Sequence, residues 1–386
     1  MIRKGPEAVG EPSLGMVRPP LPGFRPDLHE PRTATAVGRW LGIAFTVCFL
    51  TGLWSHLSQH PPSWLDLPAS PSWLYQVTQG THVASGLAAV PLLLAKLWTV
   101  YPRLFAWPPV RSVAHAAERL AVAVLIMAAI FELATGVMNI AQWYPFPFNF
   151  PAAHYAVAWV AIGALAVHLA AKWPRIRGRL AATAGEPRET TEGRRRFLAT
   201  AFGAAAAVTL LSVGQTVRPL QRLAVLAPRR PSVGPQRLPV NKTAAVAGVG
   251  RSAMDPAYRL TVAGPRRMAL SLAELAALPQ RTVTLPIACV EGWSSTQSWT
   301  GVPLRDLLDL AGVVPGRTVR MVSLERTGAY RTSLVGPGQA RHPDTLVALR
   351  LHGEPLALDH GFPARLIGPD RPGVLQTKWL GWIEVA

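Results

Sequence analysis

The stretch Ile287-Ala-Cys-Val-Glu-Gly-Trp-Ser-Ser-Thr-Gln-Ser-Trp-Thr-Gly-Val-Pro-Leu-Arg-Asp-Leu-Leu308 decides how the rest of the chain is read. It holds Cys289, one of two cysteines in 386 residues. Before it, Thr282-Val-Thr-Leu-Pro-Ile-Ala288 reads as a strand; after it, Pro303 to Leu310 reads as a short amphipathic helix. A thiol at a strand end, followed by a Gly-Trp turn, is placed to point into a cleft. Thiolates bind soft, high-valent or d-block metals well. Taken alone, a single cysteine is more often an inert small hydrophobe.

Composition supplies the context. Hydrophobic residues make up 49% and charged residues 16%, yet the net charge is +18 and there are 13 tryptophans. A basic, apolar chain whose apolar residues come in spans points to a bilayer and not to nucleic acid. Two cysteines, with Cys48 inside an apolar span, exclude a disulfide framework and a four-thiolate iron–sulfur site. Any redox metal must therefore be held mainly by histidine or by an organic cofactor.

Residues 1–36 are rich in Pro and Gly and read as a disordered cytoplasmic arm. Four apolar stretches follow near Val37–Leu57, His82–Tyr101, Leu120–Ala141 and His154–Trp173, each long enough to cross ~30 Å of hydrocarbon. They define a membrane domain over 37–175. A fifth span, Phe197–Val217, closes a basic segment over 176–217. Segments 58–81 and 141–153 contain no Lys or Arg, whereas 96–119 contains four and 172–196 contains eight. The positive-inside rule therefore puts the N-terminus in the cytoplasm and everything after Val217 outside a bacterial plasma membrane. The run Trp143-Tyr-Pro-Phe-Pro-Phe-Asn-Phe150 fits an outer aromatic belt. Gly193-Arg-Arg-Arg-Phe-Leu-Ala199 resembles the twin-arginine export signal; the alternative is that Arg194, Arg195 and Arg196 simply anchor a span. No clear cleavage site follows Val217, so the span is expected to stay as an anchor.

Histidines in spans are costly and usually functional. His82 and His154 each lie 19 residues from the cytoplasmic aromatic end of their span (Tyr101 and Trp173), so they share a depth. Two imidazoles at one depth can clamp a haem iron. The first four spans thus resemble four-helix b-type cytochromes. His154 and His168 are 14 apart and share a face, but no histidine lies level with His168. The expectation is one haem b at His82 and His154, with His56 and His168 as alternative ligands. Glu132, mid-span, is either buried against a polar partner or part of a proton or quinone site.

Residues 218–250 are Pro/Arg-rich without period and read as a linker. From 251 to 386 strand-like runs and short helices predict an α+β domain. Its Cys-Val-Glu-Gly-Trp and Trp-Thr-Gly-Val-Pro-Leu-Arg-Asp-Leu-Leu words resemble the molybdopterin-binding domain of the sulfite oxidase family. The resemblance implies that Cys289 is the protein's sulfur ligand to molybdenum. It extends to Asp359-His-Gly-Phe-Pro-Ala-Arg-Leu-Ile367 and Gln376-Thr-Lys-Trp-Leu380, which implies that His360, Arg365, Thr377 and Lys378 hold the pterin cofactor, with the basic residues on its phosphate. Tyr330 and Arg331 fall where relatives border the substrate pocket. A pterin domain loaded in the cytoplasm must cross folded, which gives the twin-arginine reading a motive. The chain stops at Ala386 without the immunoglobulin-like domain of sulfite oxidases. That favours a monomeric extracytoplasmic subunit, like bacterial methionine sulfoxide reductases that work with a membrane haem protein.

The expected architecture is multi-domain: an all-α transmembrane bundle of four helices plus a fifth anchor helix, then an α+β molybdopterin-binding domain. The expected function is a membrane molybdenum oxidoreductase. Its extracytoplasmic Mo-molybdopterin centre transfers oxygen atoms to or from a small oxyanion or an S- or N-oxide. Electrons pass through haem b to quinone or another membrane carrier. The alternative is a non-enzymatic, membrane-anchored binding or assembly protein with a degenerate pterin fold.

Overall fold

The computed structural model describes residues 29–62, 64–182, 192–216 and 218–386. Most of the N-terminal arm and the basic stretch around Arg188 lie outside the described residues. Five long apolar helices come first: α1 (Pro31–Gln59), α2 (Leu74–Leu104), α3 (Val113–Ile140), α4 (Phe150–Ala182) and α5 (Glu192–Val213). By length and composition each can cross a membrane. They pack as two hairpins, α1 with α2 and α3 with α4, and α5 lies along α2. Helix α2 begins at Leu74, two turns before the His82 start read from hydropathy. The extra turns are polar (Gln76, Thr78, Gln79, Thr81) and were invisible to an apolar-run criterion; they are helical because they face protein.

The C-terminal unit contains two five-stranded sheets. Its strands are β1 (Leu260–Ala263), β2 (Met268–Leu270), β3 (Arg281–Ala288), β4 (Ser294–Pro303), β5 (Val319–Ser323), β6 (Thr332–Val335), β7 (Leu346–Leu351), β8 (Glu354–Pro355), β9 (Arg365–Ile367) and β10 (Leu380–Val385). One sheet has the order β2-β1-β10-β5-β6, with β1 and β10 parallel. The other runs β3-β4-β7-β8, with β9 on β7. Each sheet contributes a buried apolar cluster, one around Leu260, Leu307, Met321 and Ile383, the other around Leu285, Cys289, Trp299 and Ile367. The expected helix after Ser271 is present and closed by a capping box with Glu274, so two orphan N-terminal donors are satisfied reciprocally.

β3 and β4 form the hairpin that holds the thiol. They pair antiparallel from Arg281↔Gly301 to Ala288↔Ser294, which leaves residues 289–293 as the connecting turn. Cys289 N donates to Trp293 O at 2.9 Å and Gly292 N donates to Cys289 O at 3.1 Å. Gly292 has φ +89°, a conformation that favours glycine.

The helix Leu304–Leu310 tests the packing. Leu307 is 0% exposed and Leu310 is 44% exposed. Leu307→Ala is expected to cost about 2–5 kcal/mol and lower the melting midpoint, whereas Leu310→Ala stays within ~0.5 kcal/mol. Equal midpoints for the two variants in a thermal scan of the detergent-solubilised chain would contradict this placement.

Candidate functional site

Cys289 is 3% exposed, and Asn241 Nδ2 donates to its Sγ at 2.8 Å. Burial pushes the thiol up to about 12, and the neighbouring Glu291 carboxylate adds to the rise; hydrogen bonds from Asn241 and nearby backbone partly oppose it. A thiol this hard to ionise becomes a thiolate only opposite a strong positive charge, which a bound metal ion provides.

Residues 218–250, read as a linker, supply part of the site's wall. Pro235 O faces His360 Nε2 at 2.6 Å, Asn241 reaches the thiol, Lys242 O accepts from Lys378 Nζ, and Ala244 N donates to Asp359 Oδ1 at 2.8 Å. The four residues marked by the resemblance converge on this wall. Arg365 donates to His360 O at 3.0 Å and to Gln376 O at 3.3 Å, with its guanidinium 5.1 Å from the Trp299 ring centroid. Lys378 also donates to Asp359 O at 2.9 Å, and its Nζ lies 4.2 Å from the Trp379 ring. Thr377 Oγ1 meets Ser333 Oγ at 2.7 Å.

The electrostatics are lopsided. Arg365 and Lys378 make no ion pair with a carboxylate among the described residues, and neither does Arg371, a buried cation that sequence reasoning missed. Arg371 donates to Leu375 O, Gln339 Oε1 and Leu334 O. Burial lowers Arg365 and Arg371 to about 9, and it lowers Lys378 to about 7, with Arg365 adding to the Lys378 shift. His360 is lowered to about 4 by burial. Arg365 Nε and Gln376 Oε1 are buried without a hydrogen-bond partner among the described residues. Buried cations without a direct ion pair, only Lys378 feeling the carboxylates of Asp359 and Glu325, lie beside orphaned polar atoms and fit a bound dianionic phosphate and a polar ring system. The donor set therefore fits a molybdopterin ligated through Cys289.

Tyr330 is 40% exposed; its phenol is raised by partial burial and then by Cys289. Tyr144, in the loop between α3 and α4, is raised by partial burial and then by Glu291 and Cys289. Two phenols from different parts of the chain thus feel the charge of the thiol site. Arg331 is exposed on the adjoining turn.

The thiol's turn rests on the membrane helices. Gln79 Nε2 of α2 donates to Val290 O at 2.9 Å, and Gln76 Nε2 donates to Ser294 Oγ at 2.9 Å. Asp370 Oδ1 accepts from Tyr75 N at 2.5 Å. Glu291 accepts from Trp293 Nε1 at 3.2 Å and from Gln142 in the α3–α4 loop, with Arg229 Nε at 3.9 Å. The contacts made by Tyr75, Gln76, Gln79 and Gln142 lie at the helix ends whose connecting loops, 60–73 and 141–149, contain no Lys or Arg.

Just below, His82 and His154 meet with ring centroids 6.2 Å apart. His82 Nδ1 lies 2.8 Å from Cys48 O; a carbonyl only accepts, so Nδ1 carries the proton and Nε2 keeps its lone pair. Thr135 Oγ1 donates to Phe131 O at 2.7 Å and so accepts from His154 Nδ1 at 2.9 Å. His154 Nε2 then faces Glu132 Oε2 at 3.2 Å, with one proton shared between the imidazole and the carboxyl, so Glu132 must yield this atom before it can ligate a metal. Glu132 Oε1 is buried without a partner among the described residues. Two inward imidazoles, each with Nδ1 tied to an acceptor, form a donor set that fits an axially ligated haem. His56 instead stacks on Tyr155, centroids 3.6 Å apart, and on His60. His168 lies toward the opposite end, in the field of Lys172, Lys96 and Glu118. Arg194–Arg196 form the first turn of α5, where Arg196 pairs with Glu192.

Residues 248–386, which take in the two sheets of the C-terminal unit, match the family described as the oxidoreductase molybdopterin binding domain. The chain is 34% identical over 125 residues to the putative protein-methionine-sulfoxide reductase subunit YedZ1 of Azospira oryzae, covering 32% of this chain and 47% of the relative. It is 31% identical over 162 residues to mitochondrial sulfite oxidase of Rattus norvegicus, covering 34% and 30%. With sulfite oxidase of Gallus gallus it shares 34% over 165 residues, covering 35% and 36%. The chain spans less than half the length of each of these relatives.

Lys378 gives a pH test. Its folded value of about 7 lies below the ordinary 10.5, so between them the unfolded chain binds the extra proton. Stability of the cofactor-free protein should therefore rise as pH climbs from about 7 toward 10.5, with the penalty fully present below 7. Lys378→Met should flatten that profile and retain less pterin on purification. A thermal-melt series with the wild-type slope unchanged in the variant would contradict the assignment.

Proposed function

We propose that this protein is a membrane-bound molybdenum oxidoreductase that couples extracytoplasmic oxygen-atom transfer to membrane electron transfer. The observation that carries the reading is the seating of the Cys289 turn on the N-terminal part of α2, within one helical turn of His82. Bound at Cys289, a Mo-molybdopterin would supply two-electron oxygen-atom chemistry; bound between His82 and His154, haem b would supply one-electron exchange. The chain's own residues do the rest. Asn241 orients the thiol, Arg365 and Lys378 neutralise the pterin phosphate, the uncharged His360 imidazole helps to orient it, and Thr377 supplies a buried hydroxyl to the same pocket. Tyr330 and Arg331 orient a substrate at the exposed side.

Substrate class follows from charge and from the relatives. A site walled by Arg229, Arg331 and phenols suits a polarised S=O or N=O group or a small sulfur oxyanion. Relatives named as sulfite oxidases and as a methionine-sulfoxide reductase subunit fall in that class. Extracytoplasmic placement is supported by charge: the domain sits on helix ends whose loops lack Lys and Arg, while the opposite loops are basic. Delivery of a folded, loaded domain is the role proposed for the twin-arginine-like Arg194-Arg-Arg-Phe-Leu198, with α5 retained as an anchor. Quinone is the proposed membrane carrier, and Glu132 beside His154 is the proposed proton-exchanging group on that path.

The test uses methionine sulfoxide and sulfite as probes, with haem absorbance as readout. Cys289→Ser should keep a b-type reduced-minus-oxidised spectrum and lose turnover with both; His82→Ala should lose the b-type band. Wild-type turnover in Cys289→Ser, or a wild-type spectrum in His82→Ala, would remove that residue from the mechanism.

A further inference from the structure

Gln79 stands out among the polar side chains of the membrane helices. It is 4% exposed, and both ends of its amide are used. Nε2 donates to Val290 O, one residue after the thiol, at 2.9 Å; Oε1 accepts from Ser55 Oγ of α1 at 2.7 Å. Ser55 Oγ in turn lies 3.2 Å from Tyr75 OH. A buried amide on such a helix is costly unless both groups are paired, and here one partner comes from the other domain. Gln79 precedes His82 by three residues, about 4.5 Å of helix rise. The same turn touches the residue after His82: a Cβ on Gly292 would lie 2.9 Å from both Val83 methyls.

We propose that Gln79 is a positioning residue for electron exchange, holding the Cys289 turn at fixed distance and register over His82. Resting on the reading of two redox centres given above, it assigns the contact between them to one side chain. The path runs from Cys289 through the Val290 carbonyl, across the hydrogen bond to Gln79, and along one turn of α2 to His82. With both groups bound the step would balance: haem held by His82 would give up one electron, the molybdenum held by Cys289 would take it, and no covalent bond would form or break. Gln76 with Ser294, and Tyr75 with Asp370, hold the domain boundary independently, so loss of Gln79 frees the turn without releasing the domain.

The experiment is flash reduction of the haem by a photoexcited deazaflavin in the full-length holoprotein, followed by haem absorbance; it needs no substrate. Gln79→Leu should show the wild-type b-type spectrum and molybdenum content, with the intramolecular relaxation slowed several-fold. Gln76→Ala, at the same boundary, should relax close to the wild-type rate. Gln79→Glu keeps an acceptor for Ser55 but lacks the amide donor. It should be slow at high pH and recover as pH falls and the carboxyl regains a proton to donate, which a purely structural role would not produce. Gln79→Leu relaxing as fast as wild type, with both centres loaded, would overturn the inference. A wild-type protein with haem and molybdenum but no relaxation phase would overturn the two-centre reading and this inference with it.

Discussion

The seat of a five-residue turn on a membrane helix is the constraint from which the remaining geometry follows. Residues 289–293 are closed by the β3–β4 register and by two backbone hydrogen bonds, so the thiol cannot move independently of the sheet. The turn meets α2 where the helix is polar, through Gln79 and Gln76, and where glycine lets backbone approach Val83. Two rigid bodies are thereby registered at the point where each has its chemistry-bearing side chains. A looser joint would leave both sites intact and lose the relation between them.

The second organising feature is positive charge without local compensation. Arg365, Arg371 and Lys378 are drawn into the C-terminal unit and hydrogen-bonded to neutral oxygens, not to carboxylates, and aromatic rings face Arg365 and Lys378. Desolvating cations in this way opposes folding. A phosphate-bearing cofactor offsets that cost, so binding and stability are linked, as they are for structural metals. The membrane histidines are oriented in a related way: His82 Nδ1 is held by Cys48 O and His154 Nδ1 by Thr135 Oγ1, while His154 Nε2 meets Glu132.

Much of this was legible in the sequence because it rests on local pattern. Apolar length marked the five helices, and counting from Tyr101 and Trp173 put His82 and His154 at one depth, where the structure places their rings 6.2 Å apart. The Cys289 turn and the 359–380 segments were readable as motifs. What escaped depends on tertiary contact. Asn241 sits in a Pro/Arg-rich stretch with no period, and nothing local says that it meets a thiol 48 residues further along the chain. Arg371 resembles a surface charge beside Asp370 until β6 and Gln339 enclose it. The polar start of α2 read as loop because hydropathy scores lipid, whereas Gln76 and Gln79 are solvated by another domain.

The most direct measurement is the metal and haem content of the purified full-length chain, by elemental analysis and pyridine haemochrome on one sample. The account predicts molybdenum equimolar with protein, together with haem b. Protein that is folded and carries neither molybdenum nor haem would contradict it.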